Sequence, residues 1–270
     1  IKMIVWLASF PKSGNTYLRS LISAYLYSND GLFNFDLLKN TIQFPNKFIF
    51  DKLGIDFKSR TEQVKNYLKA QQFIHELGKN NTIQFVKTHS SCSSIGNHKF
   101  LSFETTLGAI HIVRDPRNVV TSYSKHFKKT KEQSVSDITN ELIIGVKSKT
   151  HPPTYVGSWN FHYNSWKQLN KSNRYMLVKY EDLLKDPEKI LVDVLNFIYR
   201  LGKSNISIDK KKLSNSITST DFEKMQKLEK KEGFFESKKS EKTGESIPFF
   251  NLGKKNDWRN HLDNTLIKKN

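Results

Sequence analysis

The sequence predicts an α/β fold: a three-layer sandwich with a central parallel sheet and a P-loop-like turn after its first strand. Short apolar runs alternate with longer segments in which apolar residues recur at helical spacing. Each run is apolar almost throughout, as expected of a strand that is covered on both faces of a parallel sheet. The predicted strands are residues 3–7, 82–86, 108–113 and 174–179.

Length and composition are those of one globular domain. The chain has 270 residues, 37% of them hydrophobic and 12% aromatic, and can bury a substantial core. We expect a single domain over residues 1–270, without a transmembrane segment, because no apolar run approaches the roughly 20 residues that cross a bilayer. Cys92 is the only cysteine, so an intrachain disulfide is excluded and a cytoplasmic location is expected. The net charge of +18 is compatible with binding to a nucleic acid, an anionic membrane or an anionic small ligand, and does not distinguish among these partners.

The loop after the first strand is the clearest functional signal. It is rich in small and polar residues and leads into a helix, whose first backbone N–H groups and positive dipole end attract anions. Compared with the phosphate-loop pattern G-x-x-x-x-G-K-[ST], the chain retains Gly14 and Thr16. Ser9 replaces the first glycine, Asn15 replaces the lysine, and a lysine is found inside the loop at Lys12. The pattern therefore predicts a phosphate-binding turn whose cation is displaced.

The remaining elements follow from periodicity and from turn residues. Residues 32–60 have a mixed pattern and are predicted as loops and short helices. Residues 223–245 alternate Lys and Glu around two phenylalanines, which indicates a mobile surface loop, and we expect a lid at about 230–247. The predicted helices cover residues 17–25, 61–78, 116–127, 133–147, 155–169 and 187–202.

A polar cluster follows each predicted strand. The clusters contain Lys12, then Lys87 with His89, then Arg114, and finally Tyr180. Because ligands bind at the carboxyl ends of the strands in open parallel sheets, we expect the four clusters to meet in one crevice. Alone, each residue has an ordinary structural explanation; together they indicate a ligand site.

Five motifs, in chain order, resemble those of the sulfotransferases that use 3'-phosphoadenosine-5'-phosphosulfate (PAPS), of the soluble cytosolic or bacterial type. The resemblance extends from residue 10 to about residue 225, which is most of the chain. The motifs are a 5'-phosphosulfate loop at 10–16, the segment of the catalytic histidine at 86–89, a 3'-phosphate motif from Arg114 to Ser122, a Tyr-Glu-Asp motif at 180–182 and an adenine-side segment at 219–225.

The resemblance implies an enzyme that moves a sulfuryl group from PAPS to an acceptor hydroxyl, or less readily an amine, and releases adenosine 3',5'-bisphosphate (PAP). It implies that His89 is the general base, that Lys12 stabilises the leaving phosphate and that Lys87 shares the transition-state charge. No metal is expected, because a sulfuryl group carries one negative charge fewer than a phosphoryl group. The PAPS-binding residues implied are Lys12, Ser13, Gly14, Asn15, Thr16, Tyr17, Arg114, Ser122, Tyr180, Thr220, Phe222, Gly253 and Lys254.

The last motif departs from the family pattern R-K-G-x-x-G-D-W-K-N, which falls on residues 251–260. Gly253 and the Asp-Trp pair are retained, but the Arg–Lys pair that grips the 3'-phosphate is absent. Lys254 or Lys255 is the expected substitute. The family's frequent C-terminal dimerisation motif is not recognisable in residues 261–270, so the oligomeric state stays open.

Two other functions compete with sulfuryl transfer. A P-loop small-molecule or nucleoside kinase needs a lysine directly after Gly14 and an acidic Mg²⁺ ligand, and Asn15 argues against it. A nucleic-acid binder would explain the net charge but not the polar clusters at four strand ends, so no nucleic-acid partner is expected. The acceptor is a small molecule, a carbohydrate or a lipid. The loops expected to select it are residues 32–60, 90–106 and 230–247, and their sequences do not indicate which acceptor they bind.

Overall fold

The computed structural model describes residues 3–78, 82–146, 148, 151–239, 244, 246–263 and 266. The strands are β1 (Met3–Ser9), β2 (Ile42–Phe44), β3 (Ile83–Thr88), β4 (Thr106–Val113), β5 (Ile143–Ile144), β6 (Thr154–Tyr155), β7 (Tyr175–Lys179), β8 (Lys238–Lys239) and β9 (Ser246–Ile247). The α-helices are α1 (Asn15–Tyr27), α2 (Lys47–Leu53), α3 (Arg60–Lys65), α4 (Tyr67–Leu77), α5 (Pro116–Phe127), α6 (Lys131–Thr139), α7 (Trp159–Lys167), α8 (Tyr180–Lys185), α9 (Pro187–Leu201), α10 (Lys210–Ser219) and α11 (Phe222–Glu232). Short 3₁₀ helices cover Phe35–Asn40, Gln168–Ser172, Gly253–Lys255 and Trp258–Asn260. Within the described residues, none of these helices has the length and apolar character needed to cross a membrane.

Five strands form one sheet in the order β2-β3-β1-β4-β7, and every neighbouring pair is parallel. The central strand β1 pairs with β3 through Val5 and Phe85, and with β4 through Leu7 and Ile110. Parallel strands need crossover connections, which the helices supply. All five carboxyl ends therefore lie at one edge of the sheet. The predicted α/β fold with a central parallel sheet is confirmed.

Alternate residues of β1 face two different layers of helices. Val5 and Leu7 pack with apolar side chains of α1 and α9, whereas Ile4 and Trp6 pack with those of α2, α4 and α7. This division follows from the twofold periodicity of side chains along a strand. Trp6 is fully buried, and its Nε1 donates a hydrogen bond to Oγ1 of Thr106 at 3.0 Å. The near-continuous apolar pattern of β1 thus reflects burial on both faces.

Local signals set the helix ends that the sequence predicts well. Pro187 begins α9, and the Asp186 side chain accepts a hydrogen bond from the backbone N–H of Lys189. Pro is compatible with a first helical position because its missing N–H would have no partner there. The predicted helix at 61–78 is instead two helices, α3 and α4, which meet at Asn66.

Further predicted segments differ from the structure. Within 32–60, predicted as loops and short helices, Ile42–Phe44 forms the edge strand β2. The helix predicted at 133–147 is wrong beyond Thr139, because Ile143–Ile144 pairs with Thr154–Tyr155 as an antiparallel ribbon. The loop predicted at 223–245 is wrong in its first half, which is helix α11.

The predicted lid at about 230–247 is only partly described. Residues up to Glu232 belong to α11, and residues 240–243 and 245 lie outside the described part of the chain. The mobility of this segment stays a prediction.

Candidate active site

The loop between β1 and α1 contains two residues in the left-handed backbone region. Lys12 has φ 67° and Gly14 has φ 96°, and the Ser13 N–H donates a hydrogen bond to the Phe10 carbonyl at 3.3 Å. A Cβ atom on Gly14 would lie 2.1 Å from Cδ2 of Tyr180, so both the backbone angle and the neighbouring ring require glycine. Two of the predicted clusters, the loop and Tyr180, are therefore in direct contact.

Asn15 occupies the position that a phosphate loop gives to lysine. Its side-chain amide donates a hydrogen bond to the Leu7 carbonyl at 3.0 Å, which ties the start of α1 to β1. This position is buried, and an amide satisfies the carbonyl without burying a charge. Oγ of Ser13 and Oδ1 of Asn15 have no hydrogen-bond partner among the described residues. Buried polar atoms normally have partners, so the loop is a place where a polar ligand is expected.

His89 follows β3 directly and lies beside the first strand end. Its Nδ1 is 2.8 Å from the Ser9 carbonyl oxygen and 3.1 Å from Oγ of the same residue. Because a carbonyl only accepts, Nδ1 donates and carries the proton of the neutral ring, which leaves the lone pair on Nε2. Burial and the positive charge of Lys87 lower the pKa of His89 to about 3, so the ring is neutral at pH 7. It is in the protonation state that a proton acceptor needs.

A buried ion cluster at the same edge joins three distant parts of the chain. Oε1 of Glu236 lies 2.6 Å from Nη2 of Arg19 and 3.1 Å from Nζ of Lys87. Oε2 of Glu236 accepts a hydrogen bond from Oγ1 of Thr16 at 3.1 Å. Burial by itself raises the pKa of Glu236, but Lys87 and Arg19 bring it well below its usual value. Burial lowers the pKa of Lys87 to about 8, against the opposing effect of Glu236, so its ammonium group is charged at pH 7.

Sequence reasoning did not identify Arg19 or Glu236. Arg19 had a usable signal: it lies three residues after Thr16, on the same face of α1, within a helix that is otherwise largely apolar. A buried arginine in such a position calls for an anionic partner. Glu236 lies in a segment rich in Lys and Glu, where nothing in the local sequence distinguishes it from other acidic residues.

Arg114 follows β4 and is 7% exposed. Its guanidinium group lies over the ring of Tyr180, 4.4 Å from the ring centre, and Nη1 donates a hydrogen bond to the Lys12 carbonyl at 3.4 Å. Its Nε has no hydrogen-bond partner in the described part of the chain. Ser122 lies on α5, the helix that starts two residues after Arg114, and is half-buried. The structure thus brings together the residues that follow β1, β4 and β7.

The segment around Gly253 returns over the site. Gly253 has φ 51°, and a Cβ atom there would lie 2.7 Å from the ring of Phe222, so the backbone passes directly over that ring. Nζ of Lys12 lies 4.0 Å from the centre of the Phe249 ring. The side chain of Lys254 lies outside the described residues, and its contact with a 3'-phosphate stays a prediction.

The same C-terminal segment docks on helix α5. Nδ2 of Asn256 donates to the Asn118 carbonyl at 3.1 Å, and the Trp258 backbone N–H donates to Oδ1 of Asn118 at 2.8 Å. The guanidinium group of Arg117 lies 4.0 Å from the centre of the Trp258 ring. These contacts hold the C-terminal motif against the helix that carries Ser122.

Tyr17 follows the loop directly, in the first turn of α1. Burial raises the pKa of Tyr17 to about 12, and the charges of Tyr180 and Asp221 act in the same direction. Thr220 is fully buried, and its hydroxyl donates to the Ser216 carbonyl at 2.8 Å at the end of α10. Across the described residues, no group of three or more His, Cys, Asp or Glu side chains is placed to hold a metal ion.

Comparison with solved structures supports the fold. A retinol dehydratase in complex with retinol and PAP superposes with a TM-score of 0.61 at 17% identity, covering 99% of this chain and 79% of that protein. Mouse sulfotransferase SULT7A1 complexed with PAP superposes with a TM-score of 0.55 at 16% identity, covering 99% and 81%.

Sequence comparison gives the family. The chain is 24% identical to flavonol 3-sulfotransferase of Flaveria bidentis over 275 residues, covering 98% of this chain and 78% of the relative. It is also 24% identical to human sulfotransferase 1E1 over 265 residues, covering 97% and 79%. The model of the sulfotransferase domain matches residues 3–270. The chain belongs to the sulfotransferase domain family.

Proposed function

We propose that this sulfotransferase takes its sulfuryl group from PAPS and transfers it to a hydroxyl group, or less readily an amine, of a small-molecule, carbohydrate or lipid acceptor. The observation that carries the proposal is the contact between a neutral His89 and Ser9, the last residue of β1, which directly precedes the phosphate-binding turn. The presence of PAP in two structural neighbours supports the choice of nucleotide. The names of the relatives, among them a flavonol and a hydroxysteroid sulfotransferase, support a hydroxyl acceptor.

The residues around the loop fit an anionic nucleotide. Oγ of Ser13 and Nε of Arg114 are buried donors without a partner among the described residues, and an anion supplies the acceptor that both lack. Lys12, Thr16 and the N-terminus of α1 would hold the 5'-phosphosulfate. Arg114 would grip the 3'-phosphate through charge-assisted hydrogen bonds, joined by Ser122.

The remaining predicted contacts belong to the adenine and to the C-terminal side. In this proposal Tyr180 and Phe222 border the adenine, because each packs against a glycine of the two nucleotide-binding segments. Tyr17 and Thr220 line the same side, and Lys254 replaces the missing Arg–Lys pair.

The reaction moves one proton and one sulfuryl group. The acceptor oxygen forms a bond to sulfur while its proton passes to Nε2 of His89, and the bond between sulfur and the bridging phosphate oxygen breaks with its electron pair retained by that oxygen. Lys12 stabilises the negative charge that develops on this oxygen, and Lys87 stabilises the sulfuryl oxygens. A bound anion near His89 raises the low pKa that the ring has beside Lys87, which prepares it to accept the proton.

Transfer of labelled sulfate from PAPS to phenols, alcohols and amines tests the proposal. H89A is expected to abolish transfer, because the proton then has no acceptor, while PAP still stabilises the variant by about 2.7 kcal/mol at 100 times its Kd. The exposed His151 provides the control variant, H151Q. A wild-type protein whose thermal unfolding is unaffected by millimolar PAP would contradict the nucleotide site, and an H89A variant that still turns over would contradict the role of the base.

The kinase alternative is not favoured. The Asn15 amide, at the position of the phosphate-loop lysine, is engaged with the Leu7 carbonyl. A larger thermal stabilisation by ATP with Mg²⁺ than by PAPS would reverse this preference. The cytoplasmic location is proposed because the single cysteine, Cys92, is buried and forms no disulfide within the chain.

A further inference from the structure

The ion cluster of Thr16, Arg19, Lys87 and Glu236 is an anion site that already holds an anion. The Glu236 carboxylate lies 2.6 Å from the Arg19 guanidinium group and 3.1 Å from the Lys87 ammonium group, and it accepts a hydrogen bond from the Thr16 hydroxyl at 3.1 Å. Arg19 is 3% exposed, and its Nε has no hydrogen-bond partner among the described residues. Nη2 of Arg19 also donates to Oγ1 of Thr16 at 3.3 Å, which places the guanidinium group beside the phosphosulfate loop.

The carboxylate reaches the site from a distant segment that is anchored on both sides. Phe234 packs against Phe35 and Phe250, with ring centres 4.6 and 5.4 Å away. The Glu229 carboxylate accepts hydrogen bonds from Oγ of Ser237 and from the backbone N–H groups of residues 249 and 250. Glu236 is therefore held near the cations by packing that does not depend on them.

The donors that surround Glu236 are the donors that the proposed reaction needs. Thr16 belongs to the phosphosulfate loop, and Lys87 is the proposed partner of the sulfuryl oxygens. A carboxylate and a sulfuryl group both present negatively charged oxygens to such donors, and the two cannot occupy the same donors together. Two buried cations without any anion would be strongly destabilised, so the site is expected to exchange one anion for another rather than to stand empty.

We propose that Arg19 is a sulfuryl-binding residue. In the resting protein the Glu236 carboxylate occupies the sulfuryl site beside Arg19, and it leaves that site when PAPS binds. The inference rests on the proposed function. It assigns Arg19 to the transferred group rather than to the nucleotide, and it makes the segment of Glu236 an internal competitor of PAPS. PAP has no sulfuryl group, so its binding competes with Glu236 less than the binding of PAPS does.

The test compares PAPS with PAP in a variant that keeps the shape of Glu236 but not its charge. If the carboxylate fills the site for about nine-tenths of the time, E236Q binds PAPS about tenfold more tightly than the wild type, with a smaller change for PAP. E232Q removes the same charge from an exposed position four residues earlier, and is expected to change neither affinity. Equal affinities in E236Q and wild type, or weaker binding of PAPS by E236Q, would overturn the inference and make Glu236 a permanent counterion.

Inorganic sulfate provides a second test that does not depend on the nucleotide. Sulfate stabilises folded proteins generally, so the measured quantity is the difference between variants at matched ionic strength. Sulfate is expected to raise the unfolding temperature of E236Q more than that of wild type or E232Q, because the donor site is then open to it. The charge-balanced double variant R19Q/E236Q should lose this gain. A gain that persists without Arg19 would overturn its assignment. If wild type and E236Q both fail to bind PAPS but the sulfate difference is present, the proposed nucleotide fails and the anion site stands.

Discussion

Acidification from about pH 7 to about pH 5.5 is expected to destabilise the protein through three interior histidines. His111 and His162 are fully buried, and His89 is largely so. Burial lowers the pKa of His162 to about 3, burial and Lys87 lower that of His89 to about 3, and burial lowers that of His111 well below its ordinary value. In the unfolded chain each ring has a pKa of about 6.5.

The sign and size of the change in unfolding free energy follow from the protons that the folded and unfolded states bind. Below pH 6.5 the unfolded chain binds protons that the folded protein does not, so the free energy of unfolding falls as the pH falls, and the full stability is present above pH 6.5. Between pH 7 and 5.5 each ring accounts for a loss of about 1.3 kcal/mol, and the three together for about 4 kcal/mol. Total stabilities are about 5–15 kcal/mol, so this loss is readily measured.

Between pH 5.5 and pH 7 the change in stability comes from the histidines and not from the ion cluster. The lowered pKa of Glu236 stabilises the protein above the ordinary value near 4.5, and that contribution is lost only at lower pH. The lowered pKa of Lys87, about 8, affects stability between that value and its ordinary value of 10.5. Neither group changes its proton binding appreciably between pH 5.5 and 7.

Urea unfolding at several pH values within this window is the measurement. H162F replaces a ring that lies between Phe10 and His111, with ring centres 5.8 and 5.4 Å away, and should make the slope of unfolding free energy against pH about one third shallower. The slope is the readout because a change in packing shifts the stability equally at every pH. H151Q, at an exposed histidine, is the control. A slope in H162F equal to that of the wild type would refute the reasoning.

Two further predictions concern the nucleotide loop and the 3'-phosphate. G14A is expected to lose more stability than the control G54A and to weaken PAP binding. Both positions have positive φ, which costs about 1–2 kcal/mol for alanine, but only Gly14 faces the Tyr180 ring. Equal unfolding temperatures for the two variants would contradict this prediction. R114K is expected to weaken PAP binding about tenfold, because losing one charge-assisted hydrogen bond costs about 1.5 kcal/mol. Adenosine 5'-phosphosulfate, which lacks the 3'-phosphate, should bind R114K and wild type alike in calorimetric titrations; an equal loss for both ligands would place Arg114 elsewhere.

The signals that were sufficient in the sequence are local ones. The strand at residue 3 shows its continuous apolar run within one segment, the helix that follows Gly14 shows its helical spacing within one segment, and α9 has Pro187 at its start. Parallel strands place their carboxyl ends at one edge whatever their order, so the meeting of the loop with Arg114 and Tyr180 could be predicted without knowing which strands are neighbours.

Errors arose where a strand partner outside the segment decides the local structure. Ile42–Phe44 has only three residues, too few to show a strand period, and becomes a strand because β3 offers an edge. The helical pattern that predicted 133–147 gives way after Thr139, because Ile143–Ile144 finds a partner in Thr154–Tyr155.

The sequence by itself determined the family, and it predicted a phosphosulfate loop and a catalytic histidine, because each is a short motif whose chemistry lies in adjacent residues. The tertiary structure decided which charges meet. Arg19 and Glu236 are 217 residues apart in the chain and 2.6 Å apart in space. Their pairing depends on the packing of Phe234 against Phe35, and Coulombic attraction acts through distance in space rather than along the sequence.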